Sequence, residues 1–94
     1  MTLTAHQLEI LQHALGVDQY GRGDMRRNHF CAGGDDVPDC AELVCLGYMR
    51  TFRRTWLPYF NCTVTNLGKA AMLEQSRLSF REWLGIKARQ EREA

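Results

Sequence analysis

The stretch Asp35-Asp36-Val37-Pro38-Asp39-Cys40-Ala41-Glu42-Leu43-Val44-Cys45-Leu46-Gly47-Tyr48-Met49 decides how this chain folds. It reads as a short helix with both ends marked. The Asp36 carboxylate is placed to accept from an orphan N–H, as an N-cap does. Pro38 falls in the first turn, where a missing N–H costs nothing. Gly47 stands where a left-handed residue closes a helix. Cys40, Leu43, Val44 and Leu46 supply the buried stripe. After Gly47 the period changes. Tyr48–Arg54 and Tyr59–Val64 are rich in strand formers such as Phe52, Tyr59, Phe60 and Val64, with Pro58 between them. They are expected to pair as a two-stranded hairpin with Phe52, Phe60 and Val64 inward. Arg53–Pro58 forms the connecting loop, with Trp56 and Leu57 exposed at its tip.

Working outward, Leu3–Leu15 is the first helix. Thr4 followed by Gln7 is a capping box, which satisfies two N-terminal donors reciprocally. Leu8, Leu11 and Leu15 repeat at helical spacing, widened by Ile10 and Ala14, and Gly16 closes the helix. His6 and His13 flank that stripe as surface or boundary residues. Val17–Gly34 holds Gly21, Gly23, Gly33 and Gly34 and shows no second amphipathic helix. Arg26–Phe30 reads as a short helical turn or a short strand anchored by Phe30. Thr65 opens the last helix, its hydroxyl capping Leu67 or Gly68. That helix should run from Asn66 to about Ala88, with Gly85 as the point where it breaks or bends. Lys87–Ala94 alternates charge without a core residue and is expected to be a solvated tail.

These elements make one domain over residues 1–94, with its core over about 3–84. The 45% hydrophobic and 24% charged fractions are those of a folded globular chain. No apolar run approaches the roughly 18 residues that a membrane span needs, and no basic-then-apolar leader is visible. A cytoplasmic location without membrane contact is therefore expected. Cys31, Cys40, Cys45 and Cys62 are then expected as reduced thiols rather than disulfides. The net charge of +1 conceals a split. Met1–Gly47 carries three basic against seven acidic residues, net −4, and Tyr48–Ala94 nine against four, net +5.

Helix, glycine and hairpin in this order form the back half of a winged helix. The run Phe60-Asn61-Cys62-Thr63-Val64-Thr65-Asn66-Leu67-Gly68 with Ala71 is similar to the place where the second wing strand of many winged-helix proteins enters a helix. Together with Leu8-x-x-Leu11, Arg27-Asn28-His29-Phe30, the Asp36/Cys40 pair and Gly47-x-Met49, it resembles small uncharacterised phage and prophage proteins of winged-helix type. The resemblance covers residues 3–73. It implies an α+β winged-helix-like fold of three main helices with a hairpin wing, and a phage-encoded protein working in the host cytoplasm. Two features depart from that pattern. The second helix of the usual trihelical core is short or absent, and the helix in the recognition position is acidic.

That acidity bears directly on function. A recognition helix needs Arg, Lys, Asn or Gln towards base edges and positive charge towards phosphates. This one offers Asp35, Asp36, Asp39 and Glu42 and no cation, and each carboxylate in a groove opposes the counterion release that drives DNA binding. The leading expectation is a non-enzymatic module that contacts a host or phage protein. Asp35, Asp36, Asp39 and Glu42 would form one contact surface, and Arg53, Arg54 and Trp56 on the hairpin the other. The alternative is a DNA-binding regulator that uses Arg50, Arg53 and Arg54 on the wing. The carboxylates also have a purely local use, because they stabilise a helix N-terminus through its dipole. Leu78, Phe80, Trp83 and Leu84 exceed what one small core needs, which points to a possible homodimer through the last helix.

His29, Cys31, Cys40 and Cys45 are zinc-ligand types, but they lack the close Cys-x₂₋₄-Cys spacing of structural sites and are better read as core packing. Cys31 with His29 has no third group to orient it in the sequence. No phosphate-loop or His-Glu-x-x-His pattern occurs. No enzymatic activity, metal or cofactor is expected.

Overall fold

Thr4 starts the first helix, α1 (Ala5–Leu15), in a computed structural model that describes residues 3–51 and 60–93. The expected capping box is present. Thr4 Oγ1 accepts from Gln7 N–H at 3.1 Å, and Gln7 Oε1 accepts from Thr4 N–H at 3.1 Å. Gly16 closes the helix at φ 70°, and the Gly16 and Val17 N–H groups donate back to His13 and Gln12 carbonyls. Ile10, Leu11, Ala14 and Leu15 are buried and Leu8 is half-buried, so the stripe read from the spacing is the one that faces the core.

Residues 17–29 form no helix. They are ordered by polar contacts that periodicity does not reveal. The Asp18 carboxylate accepts from Tyr20 N–H at 2.8 Å and Arg22 N–H at 2.9 Å. The Arg22 N–H is the chief cause of holding that carboxyl below its usual value. Gln12 Nε2, on α1, donates both to the Gln19 carbonyl at 3.0 Å and to buried Ser76 Oγ at 2.9 Å. One side chain therefore joins the helix, the loop and the C-terminal helix. His29 N–H donates to the Ala14 carbonyl and leads into β1 (Phe30–Ala32).

α2 (Asp36–Cys45) ends as expected. Gly47 takes φ 81°, and the Gly47 and Tyr48 N–H groups donate to the Val44 and Leu43 carbonyls. Its start differs from the expectation. The cap position is Asp35, which makes no side-chain capping bond, and Asp36 is the first helical residue. The Asp36 carboxylate is committed elsewhere, to His6 on α1.

β2 (Met49–Thr51) and β3 (Phe60–Val64) pair antiparallel, with Met49 opposite Val64 and Thr51 opposite Cys62. The expected two-stranded hairpin is corrected here. β1 adds to the other edge of β3, Phe30 opposite Cys62, giving a three-stranded antiparallel sheet in the order β1-β3-β2. Phe30 and Ala32 are buried on either side of exposed Cys31, a half-buried strand pattern too short to recognise in sequence. Asn28 extends the pairing with its side chain. Its Oδ1 accepts from Val64 N–H at 2.6 Å, and its Nδ2 donates to the Val64 carbonyl at 3.1 Å.

α3 (Asn66–Glu93) runs 28 residues and continues as helix through Gly85. The break expected there is absent. A lone glycine costs only about 1 kcal/mol against alanine and does not end a helix without a competing cap. Leu11, Leu15, Leu43, Met72, Cys40 and Cys62 are the large, fully buried apolar side chains at the centre of the core. They come from all three helices and the inward face of β3. Beyond Ser76, none of the described α3 side chains is buried. The molecule measures 58 × 26 × 20 Å with a radius of gyration of 15.3 Å, against about 12 Å for a compact domain of this length. α3 alone, at 28 residues, is about 42 Å long.

Candidate functional site

α2 carries the acidic surface. Asp35, Asp39 and Glu42 recur at spacings of four and three, so they share one side of the helix, with Asp36 next to them. Asp35 and Glu42 are exposed, and Asp36 and Asp39 are half-buried. Val37 and Pro38 beside them are also exposed. No basic residue lies on the helix.

The neutralising charge comes from α1. His6 Nε2 donates to Asp36 Oδ1 at 2.9 Å, and His6 Nδ1 donates to Asp39 Oδ2. An imidazole that donates from both nitrogens is the imidazolium. Its pKa is raised above 6.5, chiefly by the hydrogen bond to Asp39, with Asp36 adding to it against partial desolvation. The four carboxylates and one imidazolium leave the patch with three net negative charges. The latch also fixes the rotamers of Asp36 and Asp39 and ties α2 to α1. Spacing within either helix gave no sign of His6, because the contact joins residues 30 and 33 apart in sequence. A histidine in the first turn of a helix, facing an acidic helix start elsewhere in the chain, is a weak signal that only tertiary placement resolves.

The basic side of the expected surface is described in part. Arg50 is exposed on β2, opposite Thr63. Arg53, Arg54 and Trp56 lie outside the described residues, as do Phe52 and the Arg53–Pro58 loop.

The cysteines fall into two kinds. Cys40 and Cys62 are fully buried, and burial pushes the Cys40 thiol up to about 12, with Cys62 beside it adding to the shift. Burial likewise raises Cys62. Cys31 and Cys45 are exposed, and all four are free. Among the described residues no three His, Cys, Asp or Glu side chains are placed to hold a metal ion. Cys31 lies opposite Asn61 in the sheet, and His29 Nε2 donates to Asn61 Oδ1 at 3.1 Å. The structure thus adds a neighbour, the buried carboxamide of Asn61, that the sequence gave no reason to place beside His29.

An open groove of about 800 Å³ runs along α1 past Leu8, Gln12 and Val17 to Tyr20 and Trp83. Tyr20 packs edge-on against Phe80 with centroids 5.0 Å apart. Phe80 stacks near Trp83 at 6.0 Å. Arg22 lies over Tyr20 and Phe80, and Lys87 over Trp83. Among the described residues no helix is long and apolar enough to cross a membrane.

No protein-family model matches the chain, and comparisons with curated proteins and with solved structures likewise return no match.

Proposed function

We propose that this chain is a phage-encoded, winged-helix-like binding module, and that the acidic side of α2 docks on a basic surface of a host or phage protein. One observation carries the reading. The helix that leads into the hairpin, where a groove-reading helix would stand, presents Asp35, Asp39 and Glu42 together and no cation. The element order and the central placement of β3 support the architectural part. The His6 latch supports the functional part. It engages Asp36 and Asp39 and leaves the exposed Asp35 and Glu42 as the carboxylates a partner's arginines reach first. It removes only one of the four charges. A duplex would meet the three that remain as repulsion, whereas a basic protein surface would meet them as steering.

The test is affinity capture with wild-type chain and with Asp35→Asn/Glu42→Gln, which leaves the latch intact. A stoichiometric protein partner retained by the first and lost by the second supports the reading. Recovery of nucleic acid alone disposes of it. The alternative, a DNA-binding regulator working through its wing, is favoured by exposed Arg50 on β2. It requires a duplex shift whose affinity falls steeply with salt and disappears on neutralising Arg50, Arg53 and Arg54 together.

A further inference from the structure

Beyond Ser76, α3 meets the body at its edge, where Tyr20 and Arg22 pack on Phe80 and Trp83, and it leaves an adjoining face open. Leu73, Arg77, Phe80 and Leu84 recur at spacings of four, three and four, so they form one stripe. Leu73 is 39% exposed and Leu84 45%, while Phe80 is half-covered by Tyr20. Trp83, 43% exposed, borders one side of the stripe. Glu74 and Arg81, both exposed, border the other, seven residues apart on the same flank.

We infer that this stripe is covered by the same stripe of a second copy of the chain, the two α3 helices running antiparallel about a two-fold axis. The charge pattern on the flank selects that occupant. In a two-fold antiparallel pair each flank meets its own counterpart. Taking the axis midway between Leu73 and Leu84 sets Leu73 against Leu84 of the second copy. Arg77 then lies opposite the second Phe80. Glu74 falls within a turn of the second Arg81, and Arg81 of the second Glu74. A flank that carries one acid and one base on either side of the midpoint is complementary to itself. A flank of one sign would repel its copy and suit a different partner. None of the described α3 side chains beyond Ser76 is buried, so this segment lies outside the core. The seam spans about three turns, so it lies at the small end of stable interfaces and a dimer in the micromolar range is expected.

Sedimentation velocity over a micromolar to submillimolar series tests the inference on the full chain. Wild-type mass should rise from 10.8 kDa towards twice that value. Leu84→Glu, which places an unpaired charge in the seam, should weaken association by about tenfold or more. Glu74→Arg and Arg81→Glu should each weaken it several-fold. The double variant Glu74→Arg/Arg81→Glu should recover it, because the swap restores opposite signs across the axis. Circular dichroism checks that each variant keeps its helix content. A chain that stays at 10.8 kDa throughout overturns the inference, including the case where another protein is found on that face. So does a dimer indifferent to Leu84→Glu, or a double swap no better than its single members.

Discussion

The substitution Gly68→Ala should be strongly destabilising, although it replaces glycine by the best helix former inside a helix. The ground for this is the junction where β3 turns into α3. Thr65 Oγ1 accepts from Gly68 N–H at 3.1 Å and donates to the Gly47 carbonyl at 2.6 Å, and Thr65 N–H donates to the Tyr48 carbonyl at 3.0 Å. These bonds draw the start of α3 onto the end of α2. A Cβ at position 68 would stand 2.1 Å from the Tyr48 carbonyl oxygen and 2.8 Å from Val64 Cγ1. Real Cβ atoms keep about 3.0 Å or more, so the two backbones would have to part by most of an ångström. The oxygen cannot rotate away as a side chain would, because the Thr65 N–H holds it.

Overpacking of this kind costs about 3 kcal/mol at the upper end of its usual range, and helix propensity returns about 1 kcal/mol. The net loss is about 2 kcal/mol, or a fall in Tm of about 8–16 °C for a domain of this size. Gly85→Ala is the internal control. Nothing lies within 4 Å of its Cβ, so it should gain up to about 1 kcal/mol from propensity alone. Thermal and urea unfolding of both variants decide the matter. If Gly68→Ala equals or exceeds wild type while Gly85→Ala stabilises, the close approach of α3 to Tyr48 is not there.

Three further outcomes are expected. His6 has a raised pKa in the fold, so its latch contributes fully below pH 6.5. The contribution is lost as pH rises through the raised value. The Tm gap between wild type and His6→Ala should therefore be open in mildly acidic buffer and close on the alkaline side, and a constant gap would refute the charged latch. Asn28→Ala leaves both the Val64 N–H and the Val64 carbonyl unpaired at a buried position. It should cost about 2 kcal/mol or more in urea unfolding. Asn28→Asp, which keeps the acceptor and loses the donor, should fall between that variant and wild type. Alkylation followed by mass spectrometry should modify Cys31 and Cys45 quickly, and Cys40 and Cys62 only on unfolding, since both are buried with raised pKa values.

Much of the fold was legible because its signals are local. Thr4 with Gln7, Gly16, Gly47 and Thr65 each mark an end through bonds to neighbours three to five residues away, and the structure keeps all four. What was not legible depends on partners far along the chain. The third strand rests on a Phe30–Cys62 pairing across 32 residues and on a side chain, Asn28, that takes over backbone pairing. The ordering of residues 17–29 rests on Asp18, Gln12 and Ser76, polar residues that a hydrophobic pattern passes over. The acidic residues of the candidate site were visible by their sign. Their engagement with His6 was not, because nothing in either helix alone brings an imidazole to them.

The latch also ties any docking event to the solvent's acidity. A cation arriving at Asp36 and Asp39 and the ring proton of His6 seek the same two carboxylates, so an incoming arginine would exchange with that proton rather than simply add to the surface. Uptake of a basic partner would then release hydrogen ions into the buffer. Affinity would climb with pH by up to about tenfold per unit until the imidazole is neutral. Calorimetry in buffers of differing ionisation enthalpy would register the released proton directly.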